Sequence, residues 1–407
     1  MSAGRVQYLE GLRGIAAVQV VLLHFVSAFL PETAEHAPPP LRVLWDGHTA
    51  VYVFFLISGA VLTPSFARGG AWWRQTAKRL VRLGLPVAAA AIFALVLLAA
   101  MPGAHLAAAS VSGSAWLAMD SSGAPTLTHL SREIALDSLV LGYREYTLFV
   151  PIAGRLPLLE HALNAPSWSL HLELYGSLLV LGLVKLRMRI PRAHAPAVVL
   201  CALLFATHPM FLFVLGHVCA PWIATRPGAR SYEINLESPS QTKKPERGGL
   251  NLTLSRSGPA IGACLIALGL AMSADKDWGF FEAARIPIAR FAPAAAPDLF
   301  QFQSQLAATA LFAGVLLSPV AHRLLARCHG LGRLSFSIYL LHFPILFTLA
   351  CAGFILVAGS LPLPAAIAVT FIGFAILVLV AAMGFERAVD RRAVQLSRLI
   401  GRPSIAR

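Results

Sequence analysis

Charge is what this sequence has least of. Asp, Glu, Lys and Arg make up 13% of its 407 residues, about half of the roughly 25% with which a soluble globular protein covers its surface. That shortage excludes a water-soluble enzyme, and a hydrophobic share of 57% excludes a disordered chain. Cysteine is scarce as well. Cys201, Cys219, Cys264, Cys328 and Cys351 sit in or beside apolar runs without metal-ligand spacing, so neither a disulfide scaffold nor a metal site is expected. No internal repeat is visible, and no Gly-x-Ser-x-Gly elbow surrounds Ser58.

What remains is long apolar segments, with a mean hydropathy of +0.69 for the chain. A spanning helix needs about 20 mostly apolar residues. Ten segments meet or approach that requirement: 13–30, 49–67, 84–101, 167–185, 194–208, 210–225, 258–274, 303–320, 335–357 and 364–386. The expected fold is therefore all-α, a polytopic membrane bundle of about ten transmembrane helices in a single domain over 1–407. Residues 1–30 imitate a signal peptide, but no small-residue cleavage site follows, so the first helix is expected to be retained.

Ten spans place both termini on one side, and charge tests that arrangement. The segments assigned inside hold 26 of the 33 Lys and Arg but only 6 of the 19 Asp and Glu. Retention of Lys and Arg in the cytoplasm is the rule for membrane proteins. Both termini are therefore expected in the cytoplasm, and the net charge of +14 is assigned to a lipid bilayer topology, not to nucleic acid. Two connectors stand out. Residues 102–166, outside, include an apolar stretch at 134–150 suited to the interface or to re-entry. Residues 226–257, inside, are polar and expected to be flexible.

Ionisable groups within a membrane are costly and mark function. Two are conspicuous: His24 in the first span and Glu173 in the fourth. Arg13 precedes His24 by eleven residues, which at 100° per residue returns within about 20° of the same helix face, roughly 16 Å away. A guanidinium at the membrane mouth can hold phosphate, while an imidazole deeper in can take a proton. Equally, Arg13 can anchor the interface and His24 can bond a neighbouring helix. His24 and Glu173 each lie about 9 Å from the outer ends of their spans, so the two are expected to meet. In Lys78-Arg79-Leu80-Val81-Arg82, Arg79 and Arg82 share a face, either as an anion site or as ordinary positive-inside residues. Ser335, Ser337, Tyr339 and His342 open the ninth span, either lining a polar cavity or bonding helix to helix. Ser58 fits close helix packing, and Trp168 fits a pocket wall or the membrane interface.

These residues carry a family likeness. Tyr8-Leu9-Glu10-Gly11-Leu12-Arg13-Gly14 with His24, Phe54-Phe55-Leu56-Ile57-Ser58-Gly59, the Arg79 and Arg82 pair, Ser167-Trp168-Ser169-Leu170-His171-Leu172-Glu173, and Leu331 to His342 resemble five motif blocks of the acyltransferase 3 integral membrane proteins, in family order. Glu10 stands where Asp is more usual, and Glu173-Leu174-Tyr175-Gly176-Ser177 resembles a variant block, which bears on the acceptor. The resemblance implies a membrane O-acyltransferase of a bacterial inner membrane. Its donor would be cytoplasmic acyl-CoA, most often acetyl-CoA, and its acceptor a hydroxyl of a glycan or small molecule outside. By resemblance, Arg13, Arg79 and Arg82 bind the donor. His24 and Glu173 are catalytic, with Glu173 orienting His24 or binding the acceptor, and Trp168, Ser58, Tyr339 and His342 line the substrate cavity. The rival reading is a proton-coupled transporter or flippase, in which His24 and Glu173 relay protons.

Overall fold

The computed structural model describes residues 6–119, 126–224, 257–276, 278, 279, 283 and 298–400, and among them no strand occurs. Seven helices are long and apolar enough to cross a membrane, and three shorter apolar helices accompany them. In chain order the helices are α1 (Gln7–Phe29), α2 (Gly47–Ala67), α3 (Trp72–Ala100), α4 (Trp168–Arg189), α5 (Pro191–Leu204), α6 (Met210–Ala224), α7 (Gly258–Ala274), α8 (Leu299–Leu317), α9 (His329–Ala358), α10 (Leu363–Phe385) and α11 (Arg391–Ile400). The apolar segments read from the sequence recur in the first ten. The expected flexible loop at 226–257 falls, apart from Ser257, outside the described residues.

Boundaries follow local chemistry. Asp46 caps α2 by accepting from the Thr49 amide at 3.1 Å, and Asp298 caps α8 by accepting from Gln301 at 2.8 Å, which satisfies amides the first helical turn leaves open. Proline opens α5 at its first position, where its missing N–H costs nothing. α9 passes through a π-helical turn at Leu346–Ala350 just after Pro344, as a proline that breaks the regular ladder leads one to expect. The largest departure is α3. It starts at Trp72 and not near residue 84, because the segment with Lys78, Arg79 and Arg82 is strongly helix-forming despite its charge. Arg79 is thereby carried about 10 Å beyond the start of the helix.

Glycine sets how closely the helices cross. A methyl group on Gly332 of α9 would lie 1.9 Å from the Glu10 carbonyl oxygen of α1, and one on Gly59 of α2 would lie 2.4 Å from the Phe213 carbonyl of α6. Neither distance is sterically possible, so these crossings are backbone against backbone, the small-residue packing that membrane helices favour. Outer faces remain apolar: Ile372, Ile376 and Val380 of α10 and Leu203 and Leu204 of α5 are exposed, as lipid-facing residues should be.

Two apolar cores fill the bundle. One gathers Val20 of α1, Phe55 of α2, Leu172 of α4, Phe213 of α6 and Phe312 of α8. The other gathers Phe25 and Phe29 of α1, Val87 of α3, Leu170 and Leu174 of α4, and much of α9 and α10. Helices α1, α4 and α9 contribute to both, so they form the seam between the cores. The buried ionisable residues singled out in the sequence lie on that seam. The segment after α3 folds back onto it. A π-helical stretch, Glu133–Leu141, packs on α4 with Ser138 and Leu139 buried, so the apolar stretch expected near 134–150 rests against the bundle.

Candidate functional site

α1 is unbroken from Gln7 to Phe29 and carries Arg13 and His24 on one helix. His24 Nδ1 lies 2.8 Å from His342 Nε2 of α9, with the rings 5.0 Å apart and nearly stacked. His342 Nδ1 in turn lies 3.0 Å from the Ile338 carbonyl oxygen. A carbonyl only accepts, so His342 carries its proton on Nδ1 and its Nε2 is a lone pair. His24 must then donate from Nδ1, which leaves His24 Nε2 as the unprotonated nitrogen. This chain assigns the tautomer of both rings from one backbone carbonyl. His342 is 0% exposed, whereas His24 as a residue is half-buried.

The arrangement corrects two expectations. His342 was expected to line a substrate cavity; both of its ring nitrogens are engaged and its ring is inaccessible. Glu173 was expected to meet His24; its Oε1 instead accepts from Arg79 Nη2 at 2.7 Å. The cause is the early start of α3, which brings a guanidinium into the bundle. A carboxylate in an apolar interior gains more from a permanent cation than from a neutral imidazole. Arg13 is 3.6 Å from Glu10, one turn before it. The Nε–H of Arg79 has no hydrogen-bond partner in the protein although the residue is buried. An orphaned guanidinium donor is expensive unless something else accepts from it. Arg82 is half-buried on the same helix.

The remaining expected cavity residues divide. Tyr339 donates its hydroxyl to the Pro166 carbonyl at 2.8 Å and lies 2.8 Å from Ser169 Oγ, so it ties α9 to the start of α4. Ser58 is buried beside the Gly59 crossing. Trp168 stays half-buried and stacks on Tyr146 at 4.2 Å, which leaves an aromatic platform at the outer end of α4.

Three features outside the long helices escaped the sequence reading. Trp116 stacks over His24 at 5.5 Å and meets Phe343 edge-on; Ser114 holds its segment to α1 by donating to the Ser27 carbonyl at 2.7 Å. A tryptophan in a long loop gives no spacing signal that points to a helix 92 positions away. Glu133, between the spans, accepts from the Leu163 and Asn164 amides, and Asn164 Nδ2 donates to the Leu340 carbonyl two residues before His342. Burial pushes the Glu133 carboxyl up to about 7, against the opposing pull of those amides. Lys276 Nζ donates to Asp46 at 2.8 Å and to Thr49 and Ser304 at 2.9 Å each, which joins α2, α8 and the end of α7. No group of three or more His, Cys, Asp or Glu that could hold a metal occurs among the described residues.

The ensemble is an imidazole base oriented by a buried second imidazole, together with a buried Arg–Glu pair with a spare donor. Set against known proteins, residues 6–383 match the family model described as the acyltransferase domain. No curated protein and no solved structure matches the chain. The matched region takes in α1 with its histidine, the Arg79–Glu173 pair and the partner histidine of α9, so the chain belongs to the acyltransferase 3 family and is a membrane acyltransferase.

Proposed function

We propose that the protein transfers an acyl group, acetyl by family resemblance, from cytoplasmic acyl-CoA to a hydroxyl of a glycan or small molecule at the outer side of a bacterial inner membrane. The observation that carries this reading is the Ile338–His342–His24 chain, which leaves His24 Nε2 as a free base in a low-dielectric site. The acceptor hydroxyl gives its proton to His24 Nε2 as its oxygen attacks the thioester carbonyl. The C–O bond forms, the C–S bond breaks, and His24 returns the proton to the departing thiolate. His342 stabilises the transient imidazolium by accepting from its Nδ1–H.

Arg79 supports donor binding through its unmatched Nε–H, and Arg13 and Arg82 add positive charge toward the cytoplasmic end. Glu173 keeps Arg79 in place within the apolar interior. Trp168 with Tyr146 supports an aromatic face for a sugar ring, and Trp116 shields His24 from the outer side. Purified protein in nanodiscs, given radiolabelled acetyl-CoA and extracted envelope glycans, should label the glycan fraction. Labelling that persists in His24→Ala sinks the proposal.

A further inference from the structure

A cavity lined by both α1 and α9 lies away from His24. A cleft of about 510 Å³ opens between the start of α1, the start of α9 and α11, and its walls include Arg333, Arg391 and Arg398 together with the carboxylates of Glu10, Glu386 and Asp390. An adjoining cavity of about 190 Å³ shares Arg333 and Arg391 and adds Arg387 with an apolar side at Leu334 and Met383. Together they are within the range of small-molecule sites. We infer that this cleft binds the phosphate-bearing adenosine end of the acyl-CoA, with Arg398, Arg391 and Arg333 at its phosphates. The inference rests on the acyl-CoA reading above.

The guanidinium groups are arranged for a ligand. Glu386 is 7% exposed, yet its Oε1 accepts from Arg391 Nε at 2.7 Å and lies 3.8 Å from Arg333 Nη2. Both arginine side chains nonetheless keep about half of their surface exposed, 49% and 53%. One buried carboxylate thus pins two arginines while leaving faces open, which is how a planar donor is preorganised for phosphate. Arg398 lies seven residues beyond Arg391, within about 20° of the same face and roughly 10 Å along the axis. Neither Arg398 nor Arg387 meets a carboxylate among the described residues. The opposite side of α11 seats Ala393 and Ser397, while Arg392 and Leu399 face away, so Arg391 and Arg398 are presented to the cleft alone.

Two helices connect this cleft to the histidines. Along α1, Glu10 is fourteen residues before His24, about 21 Å; along α9, Arg333 is nine residues before His342, about 14 Å. An extended pantetheine arm is of that order. Gly332 brings α1 and α9 into backbone contact at Glu10, beside the cleft, so the arm must pass beside that crossing, along the α1 face with Glu10, Arg13 and His24. The family match ends at residue 383, so α11 and its arginines lie beyond the shared module.

The test uses the full chain in phosphatidylcholine nanodiscs with adenosine 3′,5′-bisphosphate as the binding probe. Arg398→Ala should weaken bisphosphate binding about tenfold and raise KM for acetyl-CoA by a similar factor at unchanged kcat. Arg392→Ala, on the outward face, should change neither. Acetyl-pantetheine, which lacks the nucleotide, should be used equally well by Arg398→Ala and the unchanged protein. Unaltered bisphosphate affinity in both Arg398→Ala and Arg391→Ala overturns the inference. So does an effect that appears only when phosphatidylglycerol is added, which would make the cleft a lipid headgroup site. If the unchanged protein transfers from neither donor, the acyl-transfer reading fails, while bisphosphate binding lost in Arg398→Ala would still support the cleft.

Discussion

Two of the buried ion pairs among the described residues, Lys276–Asp46 and Arg79–Glu173, are built differently. Beyond the end of α7, all three donors of Lys276 are matched by Asp46, Thr49 and Ser304, and Asp46 also accepts from Ser273 at 2.6 Å. In the seam, Arg79 meets Glu173 at a single point and keeps an Nε–H without a partner. A saturated pair holds helices and has nothing left to offer a ligand. An unsaturated one pays an energetic penalty that the fold alone does not require, the usual mark of a functional position.

That contrast can be broken by experiment. The largest effect is expected where the seam meets the chemistry: His24→Ala should lower acyl transfer by about a thousandfold, with thermal unfolding in detergent close to that of the unchanged protein. An equally large loss of melting temperature would assign His24 to packing instead. Next, the double change Arg79→Met with Glu173→Gln removes both charges together, so the fold should survive while transfer falls roughly a hundredfold. Retained turnover would put the seam pair in the same structural class as the Lys276–Asp46 pair.

Lys276→Ala should do the reverse. Left buried and unpaired, Asp46 should cost about 3 kcal/mol of stability, read as a lower melting temperature, while turnover per folded molecule stays within about twofold. A specific loss of kcat without destabilisation would overturn the assignment of that pair as a clasp.

The smallest effect concerns pH. Because burial raises the folded Glu133 carboxyl to about 7, above its unfolded value, its contribution is fully present below the unfolded value and fades as pH rises to about 7. Stability should therefore fall across that interval, by about 3 kcal/mol at most, and Glu133→Gln should flatten the profile. A melting temperature of the unchanged protein that rises with pH from about 4.5 to 7, with the rise removed in Glu133→Gln, would reverse the sign.

Much of the fold could be read before any coordinates. Apolar runs of membrane length mark the helices because a bilayer accepts little else. Arg13 and His24 share a helix because eleven residues are close to three turns. Local patterns of this kind act within one segment and survive in the sequence. Tyr339 and His342 were equally visible as residues, but whether a hydroxyl or an imidazole faces a cavity depends on what the neighbouring helices offer. Pro166 and Ser169 saturate one, and Ile338 with His24 saturates the other. Trp116 gave no signal, since its place over His24 depends on how a long segment folds back.

The sequence by itself determined a membrane helix bundle, its charge asymmetry and two of the ionisable residues inside it, His24 and Glu173. Each follows from transfer energetics, which depend on composition along the chain. Tertiary structure alone decided the partners. Glu173 went to Arg79 because α3 begins early enough to deliver a cation, and His24 went to His342 because glycine crossings bring α1 and α9 to backbone contact. Pairing is settled by which groups the packing brings within about 3 Å, and no spacing within a single helix encodes that.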